Sequence, residues 1–223
     1  MSLSRPADTR RRSSPRAVEF AVFYFAAPAA MAVFLPPSAM FPALFAMTLL
    51  GLVLLHVTEG FEWRELRAGA GRIGWGFVAA FSLATVAVGA GVALLFRPDA
   101  FLFLLRDNPG LLLMIALLYP VLSALPQEIV FRPLFFRRYA ALLPAGAGPQ
   151  VVLNAALFSF AHLMYWSWIV AAMTFSGGLA FAWAYRVRGN FPEAVVLHAL
   201  AGIIVFALGL GVYFYSGFVE RPF

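Results

Sequence analysis

Gly74-Trp-Gly-Phe-Val-Ala-Ala-Phe-Ser-Leu-Ala-Thr-Val-Ala-Val-Gly-Ala-Gly-Val-Ala-Leu-Leu-Phe96 runs for 23 residues without a charge. At ~1.5 Å per residue, a helix of this length crosses a hydrocarbon core of ~30 Å. In lipid every backbone N–H and C=O must be satisfied within the protein, and a single helix does this by itself. Comparable apolar runs lie at 18–35, 39–57, 110–125, 150–166, 168–185 and 192–216. The 223 residues are 63% hydrophobic and 12% charged, with mean hydropathy +0.87. A soluble domain has ~45–50% apolar residues and could not bury this much apolar surface. The pattern predicts an all-α, polytopic integral membrane helical bundle of about seven to eight helices.

Charge and cysteine usage narrow the class. The chain has no cysteine, which excludes disulfides and thiolate zinc sites. All 16 basic residues are arginine, and the net charge is +6. The arginines cluster at the ends of the apolar runs, where the positive-inside rule places them. The bilayer is therefore the expected partner, and nucleic acid is not. Arg5, Arg10, Arg11, Arg12 and Arg16 form a basic arm without a clean cleavage site after it. We read residues 1–17 as a basic cytoplasmic tail, disordered over 1–16, and 18–217 as a single transmembrane helical domain. With the N-terminus inside, Arg64, Arg67 and Arg72 fall inside, while Arg97 and Arg106 fall outside. The stretch 127–143 is apolar on one side and charged on the other, which predicts an interfacial or partly inserted helix. If it does not cross, Arg137, Arg138, Arg186 and Arg188 also fall inside, giving seven spans. Gly69 to Gly76 is rich in glycine but lacks the Lys-Ser/Thr of a phosphate loop, and is expected to be a loop ending at a helix start.

Four residues in the later runs have chemistry to offer. Glu128 and Arg132 occur in Pro126-Gln-Glu-Ile-Val-Phe-Arg-Pro133. Their i, i+4 spacing puts them on one helix face, in the better order for an ion pair. Ionisable groups inside a membrane are costly and tend to face a protein interior. Pro133 removes a backbone donor and disfavours regular helix at Arg132. His162 and His198 lie in two further apolar runs, and Asn154 stands two turns before His162. A structural salt bridge and two packed imidazoles remain the plain alternative to a site. No Gly-x-Ser-x-Gly elbow surrounds Ser159 or Ser176. No His-Glu-x-x-His is present, so spacing gives no support to a metal.

Three elements occur in order: Gln127-Glu128-x-x-x-Arg132, Phe158-x-x-x-His162 and His198-x-x-x-Gly202. This order resembles the CPBP family, comprising Rce1-like type II CAAX prenyl endopeptidases and bacteriocin-processing intramembrane proteases, over about residues 110–210. The family pattern is Glu-Glu-x-x-x-Arg, Phe-x-x-x-His and His-x-x-x-Asn/Asp. The chain departs from it twice, with Gln127 for the first Glu and Gly202 for the terminal Asn/Asp. Gln cannot act as a general base. The resemblance implies an intramembrane endopeptidase acting on a membrane-associated protein or peptide. Carried over, Glu128 with His162 activates water, Arg132 orients Glu128, and His198 stabilises the oxyanion. Asn154 is a candidate for the lost oxyanion donor. The resemblance leaves open a glutamate or a zinc mechanism, and no cofactor is otherwise implied. The competing reading is a non-catalytic membrane scaffold, immunity or partner-binding protein. A small transporter finds no support, because paired broken helices in two related halves are missing.

Overall fold

The computed structural model describes residues 9–214, and all regular structure among them is helical. Pro15–Phe34, Trp75–Phe96, Pro109–Arg138 and Trp168–Arg186 are long and apolar enough to cross a membrane, and Met40–His56 and Phe191–Ala207 are shorter apolar helices. The chain is thus an all-helical, multi-pass membrane protein. In order, its α-helices are α1 (Thr9–Ala21), α2 (Ala27–Phe34), α3 (Met40–His56), α4 (Trp75–Phe96), α5 (Phe103–Asp107), α6 (Pro109–Tyr119), α7 (Leu125–Ile129), α8 (Ala147–Ala161), α9 (Trp168–Arg186), α10 (Phe191–Ala207) and α11 (Gly211–Phe214).

Proline explains why several of these helices are joined end to end by π segments. A proline has no N–H for the carbonyl one turn earlier, and a wider turn rehouses the ladder. π turns at Val22–Ala26 and Pro120–Ala124 precede Pro28 and Pro126. Pro133 lies inside the longest π stretch, Val130–Arg138. The irregularity expected at Pro133 therefore takes this form.

Three sequence expectations need correction. Residues 127–143 do not form a separate interfacial helix, because 127–138 belong to the one helix that α6, α7 and the two π segments make from Pro109 to Arg138. Its second half is the centre of the fold, with every residue from Glu128 to Phe136 buried. The apolar packing there outweighs the local pattern of charge. The N-terminal arm is helical from Thr9 onward, while its first eight residues lie outside the described ones. The last apolar run is not one continuous helix. It breaks at Gly209, whose φ of 88° suits glycine and lets Leu102 N–H reach Leu208 O (3.3 Å). The Gly-rich patch is a loop that delivers the chain to α4 at Trp75, as expected.

Bonds at the helix termini define two ends of the bundle. At one end Arg137 meets Gly60 O (2.8 Å) and Glu65 (2.9 Å), Arg138 meets Glu19 (2.5 Å), and Arg186 meets Gln150 (2.5 Å). The Asn190 side-chain Nδ2 also donates to Gly69 O (2.9 Å) there, and Glu193 accepts from Gly74 N–H (2.8 Å). At the other end Trp166 donates to Ala32 O (3.3 Å), and Phe96 packs edge-on against Trp168 (5.5 Å). Arginine is concentrated at the first end. Between the ends, α8 packs on α9, α10 on α9 and α4, and α3 on the Val130–Arg138 stretch. The aromatic core of Tyr24, Phe131, Phe135, Tyr139, Phe158 and Phe181 fills the middle.

Candidate active site

The long Pro109–Arg138 helix carries the polar residues inward. Glu128 and Arg132 are both 0% exposed. Arg132 Nε donates to Glu128 Oε2 (2.7 Å), and Nη2 donates to Oε1 (3.2 Å). Arg132 Nη1 donates to Asn154 Oδ1, and Asn154 Nδ2 donates to Phe131 O (2.7 Å). The guanidinium also lies over the Phe158 and Phe181 rings, 5.3 and 5.9 Å from their centres. A buried charge pair is tolerable only when its polar atoms find partners, and here each side-chain nitrogen and oxygen of the pair has at least one. From α10, His198 Nδ1 lies 2.9 Å from Glu128 Oε1. A carboxylate only accepts, so Nδ1 carries the proton. Stacking on Phe181 (4.9 Å, 9° between planes) fixes the His198 ring.

His162 stands apart from this group. It ends α8, and its Nδ1 is 2.7 Å from Phe158 O. The carbonyl can only accept, so Nδ1 donates and Nε2 keeps its lone pair. Phe158 touches both imidazoles, with ring centres 4.7 Å from His162 and 5.4 Å from His198. Four sequence candidates are thus divided by one aromatic ring. Glu128, Arg132 and His198 form a hydrogen-bonded unit, and no hydrogen bond among the described residues joins His162 to it.

His162 faces an apolar cleft between the α2–α3 region and the Pro109–Arg138 helix. Met31, Met40 and Met47 line its walls, and Ser123, Gln127 and His162 supply polar groups. Among the described residues no Asp, Glu or Arg lines it. Gln127 Nε2 donates to Ser123 Oγ (3.0 Å), and among the described residues no hydrogen bond engages the amide oxygen. Adjacent helix residues point ~100° apart, so Gln127 faces the cleft while Glu128 faces the core. A second cavity, lined by Ser159, Trp166 and Ser167 among others, meets His162 as well.

Asn154 does not share the cleft. Its amide is spent on Arg132 and Phe131 O, which makes it an anchor for the guanidinium. Sequence reasoning missed Tyr119, whose hydroxyl lies 3.3 Å from His198 Nε2. The available signal was Gly202. A glycine one turn beyond a buried histidine leaves room that another element can fill. For zinc the donors do not fit. Among the described residues no group of three or more His, Asp or Glu is gathered, and the Glu128 oxygens are already engaged.

The helices that bear Glu128, Arg132, His162 and His198 fall in one contiguous segment. Residues 109–204 match a family model described as type II CAAX prenyl endopeptidase Rce1-like. The chain carries an Rce1-like domain of the CPBP family. Nothing among curated proteins matches the chain, and no solved structure does. The Rce1-like domain contributes α6 through most of α10. Helices α2 and α3, outside the matched segment, supply the methionine-lined wall of the cleft.

Proposed function

We propose that this chain is an intramembrane endopeptidase that hydrolyses a peptide bond in an apolar, membrane-associated protein or peptide segment. The observation that carries the reading is His162. Its Nδ1 proton is committed to Phe158 O, and the ring borders an uncharged, methionine-lined cleft. A neutral imidazole with a free Nε2 lone pair can take a proton from water. The Gln127 amide oxygen, across the same cleft, can accept the water's second hydrogen. Hydroxide then adds to the scissile carbonyl, and His162 returns the proton to the leaving amine.

In this reading Glu128 acts differently from the resemblance's water-activating role. It is fully buried and its two oxygens are engaged, so it serves with Arg132 to hold His198 as a polarised group behind Phe158. The methionine wall suits side chains of varied shape, because methionine is flexible and polarizable. The absence of charge from the cleft fits an apolar segment rather than an ionic one. We also assign the Arg-rich end of the bundle, and with it the N-terminus, to the cytoplasmic side.

The test is a comparison of peptide termini in membrane and secreted fractions. Cells carrying the wild type would be compared with His162→Ala at matched expression. Termini present only with the wild type would support the reading, and identical termini would overturn it. A second reading is favoured by one observation. No carboxylate reaches the cleft, because Gln127 occupies the position that faces it. A scaffold, immunity or partner-binding protein would keep the buried charged unit for packing and use the cleft only to bind.

A further inference from the structure

Gly202 lies one turn beyond His198 on α10, on the same face. A Cβ built at Gly202 would collide first with the ring and hydroxyl of Tyr119. Tyr119 is the last residue of α6, just before the π turn that begins at Pro120. Its ring meets the His198 ring at 72°, with centres 6.0 Å apart, and its hydroxyl is 3.3 Å from His198 Nε2. The volume and the hydrogen-bonding position that a side chain at 202 would take are therefore both filled by Tyr119.

We propose that Tyr119 is the positioning residue of His198, and that Gly202 is the vacancy this role requires. Nδ1 of His198 faces Glu128, so Tyr119 holds the only other ring nitrogen. Phe181 stacks on one face and Phe158 abuts edge-on, so neither ring can supply that bond. With Nδ1–H directed at the carboxylate, neutral His198 accepts from the phenol at Nε2. Ser123, one turn after Tyr119, accepts from Gln127 Nε2 at the cleft (3.0 Å). The inference rests on the protease reading for its catalytic meaning, and on geometry alone for the Tyr119–His198 bond.

The chain contains three histidines, so selective 15N-histidine labelling in micelles gives a short, assignable spectrum. Tyr119→Phe keeps the ring and removes the hydroxyl. The His198 ring nitrogens should shift while those of His56 and His162 stay in place. Peptide hydrolysis should fall about tenfold in kcat with KM little changed, the effect of losing one buried hydrogen bond. Combining Tyr119→Ala with Gly202→Asn should restore most of that rate, because Asn then offers the bond from α10 itself. Unmoved His198 signals in Tyr119→Phe would overturn the proposal. So would a double variant as impaired as Tyr119→Ala alone. If the wild type cleaves nothing, the protease reading falls, but the nitrogen shifts still decide the role of Tyr119.

Discussion

Replacing Arg132 by methionine removes the charge while keeping a long apolar stem. In the native structure the guanidinium gives Glu128 two hydrogen bonds at 2.7 and 3.2 Å, and it satisfies Asn154 Oδ1. Without it, Glu128 is left at 0% exposure with His198 as its remaining partner. Removing one member of a buried pair typically costs ~3–5 kcal/mol. The stranded Asn154 oxygen adds ~1–3 kcal/mol. We therefore expect Arg132→Met to destabilise the fold by about 4–8 kcal/mol, and Glu128→Leu by ~3–5 kcal/mol. The double variant removes both charges and strands only Asn154 Oδ1 and His198 Nδ1, so its cost should be about 2–4 kcal/mol. The coupling in the cycle should then exceed ~3 kcal/mol. Equilibrium unfolding in mild-detergent micelles titrated with a denaturing detergent reads this directly, with the five tryptophans as probes. Single variants costing under ~1 kcal/mol, or singles that simply add in the double, would refute the buried-unit argument.

Gln127→Glu places a carboxylate on the cleft opposite His162. If the cleft hydrolyses peptides, cleavage of the wild-type substrates should rise about 10-fold, less than the ~10²–10⁴-fold of a positioned base because His162 already takes the proton; unchanged termini would move the balance to the binding-only reading. Gly209→Ala forces a left-handed backbone on alanine and drives its Cβ into the Ala100 carbonyl. It should lower stability by at least ~1–2 kcal/mol, seen as a lower melting temperature in detergent. Because the chain has no native cysteine, single cysteines at Arg67→Cys and Arg106→Cys can be labelled cleanly in intact cells. A membrane-impermeant maleimide should label position 106 and spare position 67, and the reverse pattern would invert the assigned orientation.

The apolar runs and the composition were enough to determine an all-helical membrane protein. Backbone satisfaction in lipid leaves a chain this apolar few other choices. The i, i+4 spacing likewise determined that Glu128 and Arg132 pair, because helix geometry alone puts them together. The order of Glu128, Arg132, His162 and His198 was enough to point to the family domain. What the sequence could not decide was which of these residues share a space. Gln127 and Glu128 are neighbours in the chain, yet one faces the cleft and the other the core, and only the rotation of the packed helix sets which. The charges of 127–143 suggest an interfacial helix, whereas Glu128 and Arg132 point into a core built by Tyr24, Phe135 and Phe158 from three separate segments. The division of His162 from His198 by Phe158, and the filling of the Gly202 space by Tyr119, arise from side chains far apart in sequence. Local pattern records which face of each helix is apolar, but volume is shared only between helices, and so tertiary packing decided the site.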